Sequence, residues 1–210
     1  MKLLLFTDSL SLPRNTPETC THAETWPELL RQQGHEVCLS AMGGATIKEL
    51  YRQTFYFQHG TYFDAVIVQA GIVDCAPRFA HQWETKGLQK IPRLGKSLLG
   101  LLNTKNVRNF RKITYTKPRE FASYVDKFST AFPCPMYFIE ILPALPAYEN
   151  QLPGVGENIK KYNAILKPYA PIGTMDFPSD GLMTDYHHMN AKGHRYLFEQ
   201  ITKQLNGGLS

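Results

Sequence analysis

A serine near the start of the chain and an Asp-x-x-His element near its end are residue types that can carry out nucleophilic catalysis. Ser9 follows the apolar run Lys2–Phe6, and Asp185 and His188 lie three residues apart close to the C-terminus. A serine hydroxyl needs an imidazole to take its proton as it attacks. The imidazole in turn needs a carboxylate to hold its tautomer and to stabilise its charged form. The sequence therefore predicts a nucleophile, a general base and an orienting acid.

Four short blocks of sequence surround and connect these residues. They are Phe6–Leu10 (F-T-D-S-L), Ser40–Thr46 (S-A-M-G-G-A-T), Val66–Asp74 (V-I-V-Q-A-G-I-V-D) and Asp185–His194 (D-Y-H-H-M-N-A-K-G-H). In this order they resemble the sequence blocks of the SGNH (GDSL) hydrolases, including members associated with surface polysaccharide modification. Residues 80–135 have no counterpart in that pattern.

The resemblance implies a serine hydrolase with a triad. In that interpretation Ser9 is the nucleophile, His188 is the base and Asp185 is the acid. The resemblance also implies an oxyanion hole formed by the backbone N–H groups of Ser9 and Gly44. The fold expected from the family is a three-layer α/β/α sandwich with a parallel sheet.

Four further residues are candidates for contact with the substrate: Asp8, Gly43, Arg78 and His187. Asp8 is also suited to capping the nucleophile turn, and His187 to forming a wall of the site. Arg78 can pair with a substrate carboxylate through two parallel hydrogen bonds or form a structural ion pair instead. No cofactor is expected. A metal site is not expected either, because the histidines near the C-terminus lack a helical His-x₃-His pair with an accompanying acid.

One departure from the family pattern affects the predicted chemistry. Val73 occupies the position of the family asparagine that donates a side-chain hydrogen bond to the oxyanion. Losing one such donor typically costs about 10²–10³ in rate. Three alternatives follow: the enzyme is slow, Gln69 or Arg78 supplies the donor, or the site binds without turnover.

The middle of the chain is strongly basic. Residues 83–120 contain ten Lys and Arg against two Glu, a local net charge of +8 that exceeds the +5 of the whole chain. Apolar residues are interleaved with these charges, so the segment is predicted to be a helical insertion or lid. It either packs on the core with a solvated cationic face or binds an anionic substrate or membrane surface. Nucleic acid is not an expected partner, because the basic residues are confined to one segment.

Length and composition are typical of a single globular domain spanning residues 1–210, with 43% hydrophobic and 20% charged residues. Four scattered cysteines form no Cys-x-x-Cys pair, so neither a zinc site nor a disulfide framework is expected. The first apolar run is too short for a signal peptide and is interrupted by Asp8. We expect a cytoplasmic protein, with a peripheral position at the membrane as an alternative.

Alternating strand and helix patterns favour a doubly wound parallel sheet with the site at the carboxyl ends of the strands. The predicted strands are Lys2–Phe6, His35–Ser40, Ala65–Ala70, Pro135–Ile141 and Pro171–Thr174. The predicted helices are 16–34, Thr46–Gln58, Asn158–Leu166 and Asn190–Leu205.

Three functions are consistent with these features. The first is a serine esterase acting on an O-acyl group, most simply an O-acetyl group on a carbohydrate. The second keeps the triad but passes the acyl group to a sugar hydroxyl, as an O-acetyltransferase in surface polysaccharide synthesis. The third is a catalytically silent glycan-binding subunit, which the valine at position 73 favours.

Overall fold

Four parallel strands form the centre of the molecule in a computed structural model that describes residues 1–57, 62–81, 84–85, 87, 104–111 and 113–207. The strands are β1 (Lys2–Thr7), β2 (Glu36–Ala41), β3 (Ala65–Gln69) and β4 (Met136–Ile139). They form one sheet in the order β2-β1-β3-β4. The chain leaves β1 toward β2 on one side and later returns to β3 on the other. Ligand sites of open parallel sheets lie at such a switch point, outside the carboxyl ends of the strands.

The two central strands are buried on both faces. Leu3, Leu4, Leu5 and Phe6 of β1 have no exposed surface, and the side chains of β3 are equally buried. A continuous apolar run of this kind is typical of a strand that is covered by helices on both sides. The sheet therefore supplies a rigid base for the loops that follow β1 and β3.

Helices cover both faces of the sheet. They are α1 (Trp26–Gln32), α2 (Ile47–Gln53), α3 (Ile72–Cys75), α4 (Lys105–Arg111), α5 (Pro118–Ser129), α6 (Pro146–Gln151), α7 (Val155–Leu166) and α8 (Ala191–Gly207). Helix α1 packs against α8, whereas α5 packs against α2 and α7. The predicted three-layer α/β/α fold with a parallel sheet is confirmed.

Local capping groups explain where two of these helices begin. Thr46 and Glu49 form a capping box, in which each side chain satisfies a backbone N–H of the other residue. Asn190 caps α8, since its Oδ1 accepts a hydrogen bond from the N–H of Gly193 at 3.1 Å. Both caps lie at the edge of the sheet where the strands end, so they also fix the loops of the candidate site.

Three sequence predictions differ from the structure. The helix predicted over 16–34 covers only α1, because the backbone of Arg14 pairs with that of Cys20 and closes a loop. The strand predicted at Pro171–Thr174 is a single parallel bridge between Ile139 and Ile172. No helix was assigned to 118–129, yet Phe121, Val125 and Phe128 recur at helical spacing and bury one face of α5.

The basic segment of residues 83–120 is described only in part. Residues 83, 86, 88–103 and 112 lie outside the described residues, as does the side chain of Lys105. Six of the ten basic side chains are therefore not described: Lys86, Lys90, Arg93, Lys96, Lys105 and Lys112. In the described part, Arg111 pairs with Glu84 at 2.8 Å and donates to the carbonyl of Phe79 at 3.0 Å. Its role as a lid or as a surface for anionic partners stays a prediction. Across the described ranges, the helices are too short or too polar to cross a membrane.

Candidate active site

Ser9 lies at the first position of a short 3₁₀ turn, Ser9–Ser11, directly after β1. The preceding Asp8 accepts a hydrogen bond from the N–H of Leu10 through Oδ1 at 2.9 Å. Asp8 is fully buried and does not line the cleft described below. It therefore caps the nucleophile turn, and its predicted contact with substrate is corrected.

The segment Asp185–His188 forms a tight turn that presents two side chains together. Tyr186 adopts a left-handed conformation with φ of 65°, and its N–H donates to the carbonyl of Met183 at 2.9 Å. Asp185 Oδ1 accepts hydrogen bonds from the N–H groups of His187 and His188 at 3.2 and 3.0 Å. The carboxylate is thus held by the backbone of the same turn, and its second oxygen is left to contact the imidazole.

A continuous chain of hydrogen bonds joins the three predicted triad residues. Ser9 Oγ lies 3.2 Å from His188 Nε2, and His188 Nδ1 lies 2.7 Å from Asp185 Oδ2. Although burial alone raises the pKa of Asp185, the hydrogen bonds from His188 lower it below its ordinary value. An ionised carboxylate can only accept, so Nδ1 carries the proton and Nε2 presents its lone pair to the serine hydroxyl. The geometry is that of a nucleophile, a base and an orienting acid.

The imidazole of His188 is neutral at physiological pH. Burial is the main cause that lowers its pKa, and repulsion from His187 adds to it, so that the pKa falls to about 4 in spite of the nearby carboxylate. Only 6% of His188 is exposed, and its ring centroid lies 3.8 Å from that of His187. The unprotonated form is the one that can accept the proton of Ser9.

The loop after β2 brings two glycines beside the nucleophile. A side chain at Gly43 would place its Cβ 4.0 Å from Cβ of Ser9, and Gly44 has φ of 73°, a conformation that favours glycine. Within the described part of the chain, the backbone N–H groups of Ser9 and Gly44 donate no hydrogen bond. Two donors beside the nucleophile are therefore available to an oxyanion.

The position of the missing asparagine lies on the wall of the same cleft. Val73 in α3 lines the cleft, but its side chain has no donor. Gln69 is buried and its Oε1 accepts from Trp26 Nε1 at 3.1 Å, away from the cleft lining. Of the two replacements considered from sequence, only Arg78 lines the cleft.

Asp74 ties together the loops that form the site. Its carboxylate accepts hydrogen bonds from the N–H of Ile47, at the start of α2, and from the hydroxyl of Thr116. Burial raises the pKa of this carboxyl to about 7, although both hydrogen bonds oppose the rise. Asp74 therefore connects the glycine loop, α3 and the segment after α4.

These residues surround an open cleft of about 430 Å³. It is lined by Ser9, Arg14, Gly43, Gly44, Val73, Arg78, Tyr115, His187 and His188. The predicted residues Gly43, Arg78 and His187 all lie on its wall, and the ring of His187 stacks on Tyr148 with centroids 5.6 Å apart. The size is in the range of pockets that hold small molecules.

Sequence reasoning missed two lining residues, Arg14 and Tyr115. Arg14 reaches the cleft through the loop closed by its backbone pairing with Cys20, at 2.9 and 2.8 Å. Tyr115 reaches it because Ile113 pairs with the backbone of Arg78. Neither residue belongs to a recognisable motif, so only the folded chain places them.

The same turn offers a set of metal-ligating atoms. Among the described residues, Asp185, His187 and His188 have ligand atoms within 4.8 Å of one another. Both ring nitrogens of His188 are already occupied, one by Ser9 and the other by Asp185. The arrangement thus serves a hydrogen-bonded triad and supplies no separate ligand set.

Comparisons with known proteins find the same fold among solved structures. No protein-family model matches the chain, and no curated protein matches it. Among solved structures, a lipase/acylhydrolase from Enterococcus faecalis is 14% identical, with a TM-score of 0.65 over 98% of this chain and 95% of that one. A member of the lipolytic protein G-D-S-L family from Veillonella parvula is 13% identical, with a TM-score of 0.59 over 96% of each chain.

A third similar structure is a carbohydrate acetylesterase family member from Sinorhizobium meliloti. It is 14% identical, with a TM-score of 0.56 over 97% of this chain and 96% of that one. All three matches extend over nearly the full length of both chains. They show that this chain has the fold expected from the sequence resemblance.

Proposed function

We propose that the protein is a serine ester hydrolase of the SGNH type, in which Ser9, His188 and Asp185 form the catalytic triad. The observation that carries this proposal is the hydrogen-bonded chain from Ser9 Oγ through His188 to Asp185 at the wall of an open cleft. The likeness to lipolytic enzymes of the same fold supports it.

In the proposed reaction, Ser9 Oγ attacks the acyl carbon while His188 Nε2 takes the hydroxyl proton. Asp185 stabilises the imidazolium that forms, and the N–H groups of Ser9 and Gly44 donate to the oxyanion. His188 then gives its proton to the departing alcohol, which leaves an acyl group on Ser9. Water attacks this ester while His188 takes its proton. His188 then returns that proton to Ser9 Oγ, which leaves the acyl carbon as the acid product is released.

The oxyanion hole in this proposal has two backbone donors and lacks the side-chain donor of the family. Because removing one such donor typically costs about 10²–10³ in rate, we expect modest turnover of small esters. Arg78 is the side chain that remains as a substitute, since it lies on the cleft wall and Gln69 does not.

We further propose that the substrate is an O-acyl ester with a short acyl chain, such as an O-acetyl group on a carbohydrate. The cleft is open and small, and its wall contains arginine, histidine and tyrosine side chains that can bind polar groups. The structural likeness to a carbohydrate acetylesterase family member supports the same substrate class.

Labelling with a fluorophosphonate, which reacts with activated serines, tests the proposal. We expect stoichiometric modification of the wild type and none of Ser9→Ala. The matched control is Ser179→Ala, since Ser179 is an exposed serine outside the cleft. We also expect Ser9→Ala to abolish hydrolysis of an activated acetyl ester without changing the thermal unfolding midpoint.

Labelling that persists in Ser9→Ala would remove this residue from the mechanism. A wild-type protein that neither reacts with the probe nor hydrolyses the ester would instead support a silent glycan-binding role, which the valine at position 73 favours.

A further inference from the structure

Two arginines lie on the wall of the cleft that contains the triad. Arg14 and Arg78 line it together with Ser9 and His188, and both are half-buried. Among the described residues, no Asp or Glu lies within ion-pair distance of either guanidinium. A partly buried cation without an anionic partner is costly, unless a ligand supplies the opposite charge.

Arg78 is held in place by contacts that leave most of its donors unused. Its backbone N–H donates to the carbonyl of Ile113 at 2.8 Å, and its guanidinium carbon lies 4.6 Å from the ring centroid of Tyr115. One terminal N–H donates to the carbonyl of Val73 at 3.4 Å, and Nε is buried without an acceptor. A guanidinium has five N–H donors in a planar fork that matches a carboxylate or a phosphate. A side chain fixed in this way loses little freedom when it binds such a group.

Arg14 is positioned by the loop that its backbone closes with Cys20, and its Nε donates to the carbonyl of Thr16 at 3.3 Å. The charges of both arginines act on His187, a third side chain of the cleft wall. Burial is the main cause that lowers the pKa of His187, Asp185 opposes it, and repulsion from Arg14 and Arg78 lowers it further. Both guanidinium groups therefore act on the same space in front of the triad.

We propose that Arg14 and Arg78 form an anion subsite that selects esters whose alcohol part bears a carboxylate or a phosphate. This inference rests on the proposed ester hydrolase function and names its substrate class. An acylated acidic or phosphorylated sugar would place its acyl group at Ser9 and its anionic group against the two guanidinium groups. The ring of Tyr115 would hold the planar guanidinium group of Arg78 in place, while the free N–H groups of that guanidinium bind the anion.

Binding to Ser9→Ala tests the subsite without requiring turnover. The ligands are glucose, glucuronic acid and glucose phosphorylated on its exocyclic hydroxyl, each acetylated at the same ring hydroxyl. They differ only at the exocyclic carbon, which is a hydroxymethyl group, a carboxylate or a phosphorylated hydroxymethyl group. Calorimetry should give a dissociation constant about ten- to a hundredfold lower for an anionic ligand than for the neutral one, as expected for a charge-assisted hydrogen bond. The carboxylate and phosphate ligands show which anion the subsite prefers. The preference should weaken with added salt.

Substitutions in the Ser9→Ala background then assign the preference to the arginines. We expect Arg78→Gln to remove most of the preference for the anionic ligands, and Arg14→Gln to remove part of it. Arg78→Lys should give a preference between those of Arg78→Gln and the unchanged arginine, because lysine keeps the charge but lacks the planar guanidinium group. Arg52→Gln is the control, since Arg52 is an exposed arginine in the last turn of α2, at the end opposite to the glycine loop. It should leave the preference unchanged.

Equal affinity of the three ligands would overturn the proposal, as would a preference that survives in the variant with both arginines changed to glutamine. If Arg78 served only as an oxyanion donor, then Arg78→Gln with Ser9 intact would lower kcat equally on neutral and anionic esters. If the ester hydrolase proposal failed instead, the wild type would show no turnover, while the binding preference would remain.

Discussion

The two walls of the cleft are assembled in different ways. The triad wall is formed by Ser9, Asp185 and His188, and its acid and base depend on short-range order, because they leave one turn whose backbone N–H groups hold the carboxylate. Ser9 joins them from the end of β1. The arginine wall, formed by Arg14, Arg78 and Tyr115, depends on pairings between segments that are distant in sequence or closed into loops. The difference teaches that the acid and base of the proposed triad lie in one compact motif, whereas the residues of the proposed anion subsite depend on contacts that only the folded chain makes.

The two walls also differ in electrostatics. On the triad wall, the carboxylate of Asp185 is matched by the imidazole at 2.7 Å, and the base stays neutral. On the arginine wall, the described residues offer no carboxylate to Arg14 or Arg78. Changes on the first wall should therefore affect turnover of every ester, and changes on the second should distinguish one ester from another.

The largest expected effect is a loss of kcat after a substitution on the triad wall. Asp185→Asn keeps the size of the side chain but lets an amide donate to His188 Nδ1, which favours the imidazole tautomer that cannot accept the serine proton. By analogy with the serine protease triad, kcat should fall by about 10⁴ on neutral and anionic esters alike. Steady-state kinetics on an activated acetyl ester is the measurement.

Asp180→Asn is the matched control for this change, because Asp180 is exposed and pairs with Lys192 outside the cleft. It should leave kcat unchanged. A mild effect of Asp185→Asn would show that another group orients His188.

The second largest effect concerns the oxyanion hole, where Val73 occupies the position of the family asparagine. Val73→Asn should raise the rate on a neutral ester by at most about 10²–10³, the typical contribution of one oxyanion donor. Val73→Leu changes the size of the side chain without adding a donor, so it should not raise the rate. A loss of rate in Val73→Asn with an unchanged unfolding midpoint would show that this oxyanion hole is not deficient and that Arg78 already fills the role.

The smallest effect on activity is expected from Asp8, which is buried next to Ser9 and affects the pH dependence of the free energy of unfolding. Burial raises the pKa of Asp8 to about 7, the hydrogen bond from Leu10 opposes the rise, and repulsion from Asp74 adds to it. The folded protein therefore keeps a proton that the unfolded chain loses above pH 3.8, the ordinary value for this group. The free energy of unfolding should fall as pH rises from about 4 to about 7, by about 1.4 kcal/mol per pH unit for this proton, and then stay level.

Asp8→Asn removes this titrating group while keeping the acceptor for Leu10. The free energy of unfolding should therefore fall less steeply between about pH 4 and about pH 7, by the contribution of one proton. Urea denaturation at several pH values gives the slope. Asp176→Asn, at an exposed aspartate, should leave it unchanged. An unchanged slope in Asp8→Asn would mean that Asp8 is ionised in the folded protein across this range.

Local patterns of sequence were enough to predict most of the fold. The apolar runs of β1 and β3 predict buried strands because parallel strands covered on both faces carry few polar residues. The predicted helical region ends at Gly34, which directly follows the C-cap of α1 and has φ of 96°, a conformation that favours glycine. The helix over 118–129 has a local signature too, since Phe121, Val125 and Phe128 recur at helical spacing.

The sequence alone predicted the residues of the proposed triad and their order, because Asp185 and His188 lie three residues apart and Ser9 follows the first strand. It also indicated that Val73 departs from the family pattern. Only the tertiary structure decided that Gln69 lies away from the cleft, and that Arg14 and Tyr115 complete its wall. The physical reason is distance along the chain. A turn fixes residues three apart by its own hydrogen bonds, whereas an arginine reaches a site through the packing of remote segments, which no local spacing records.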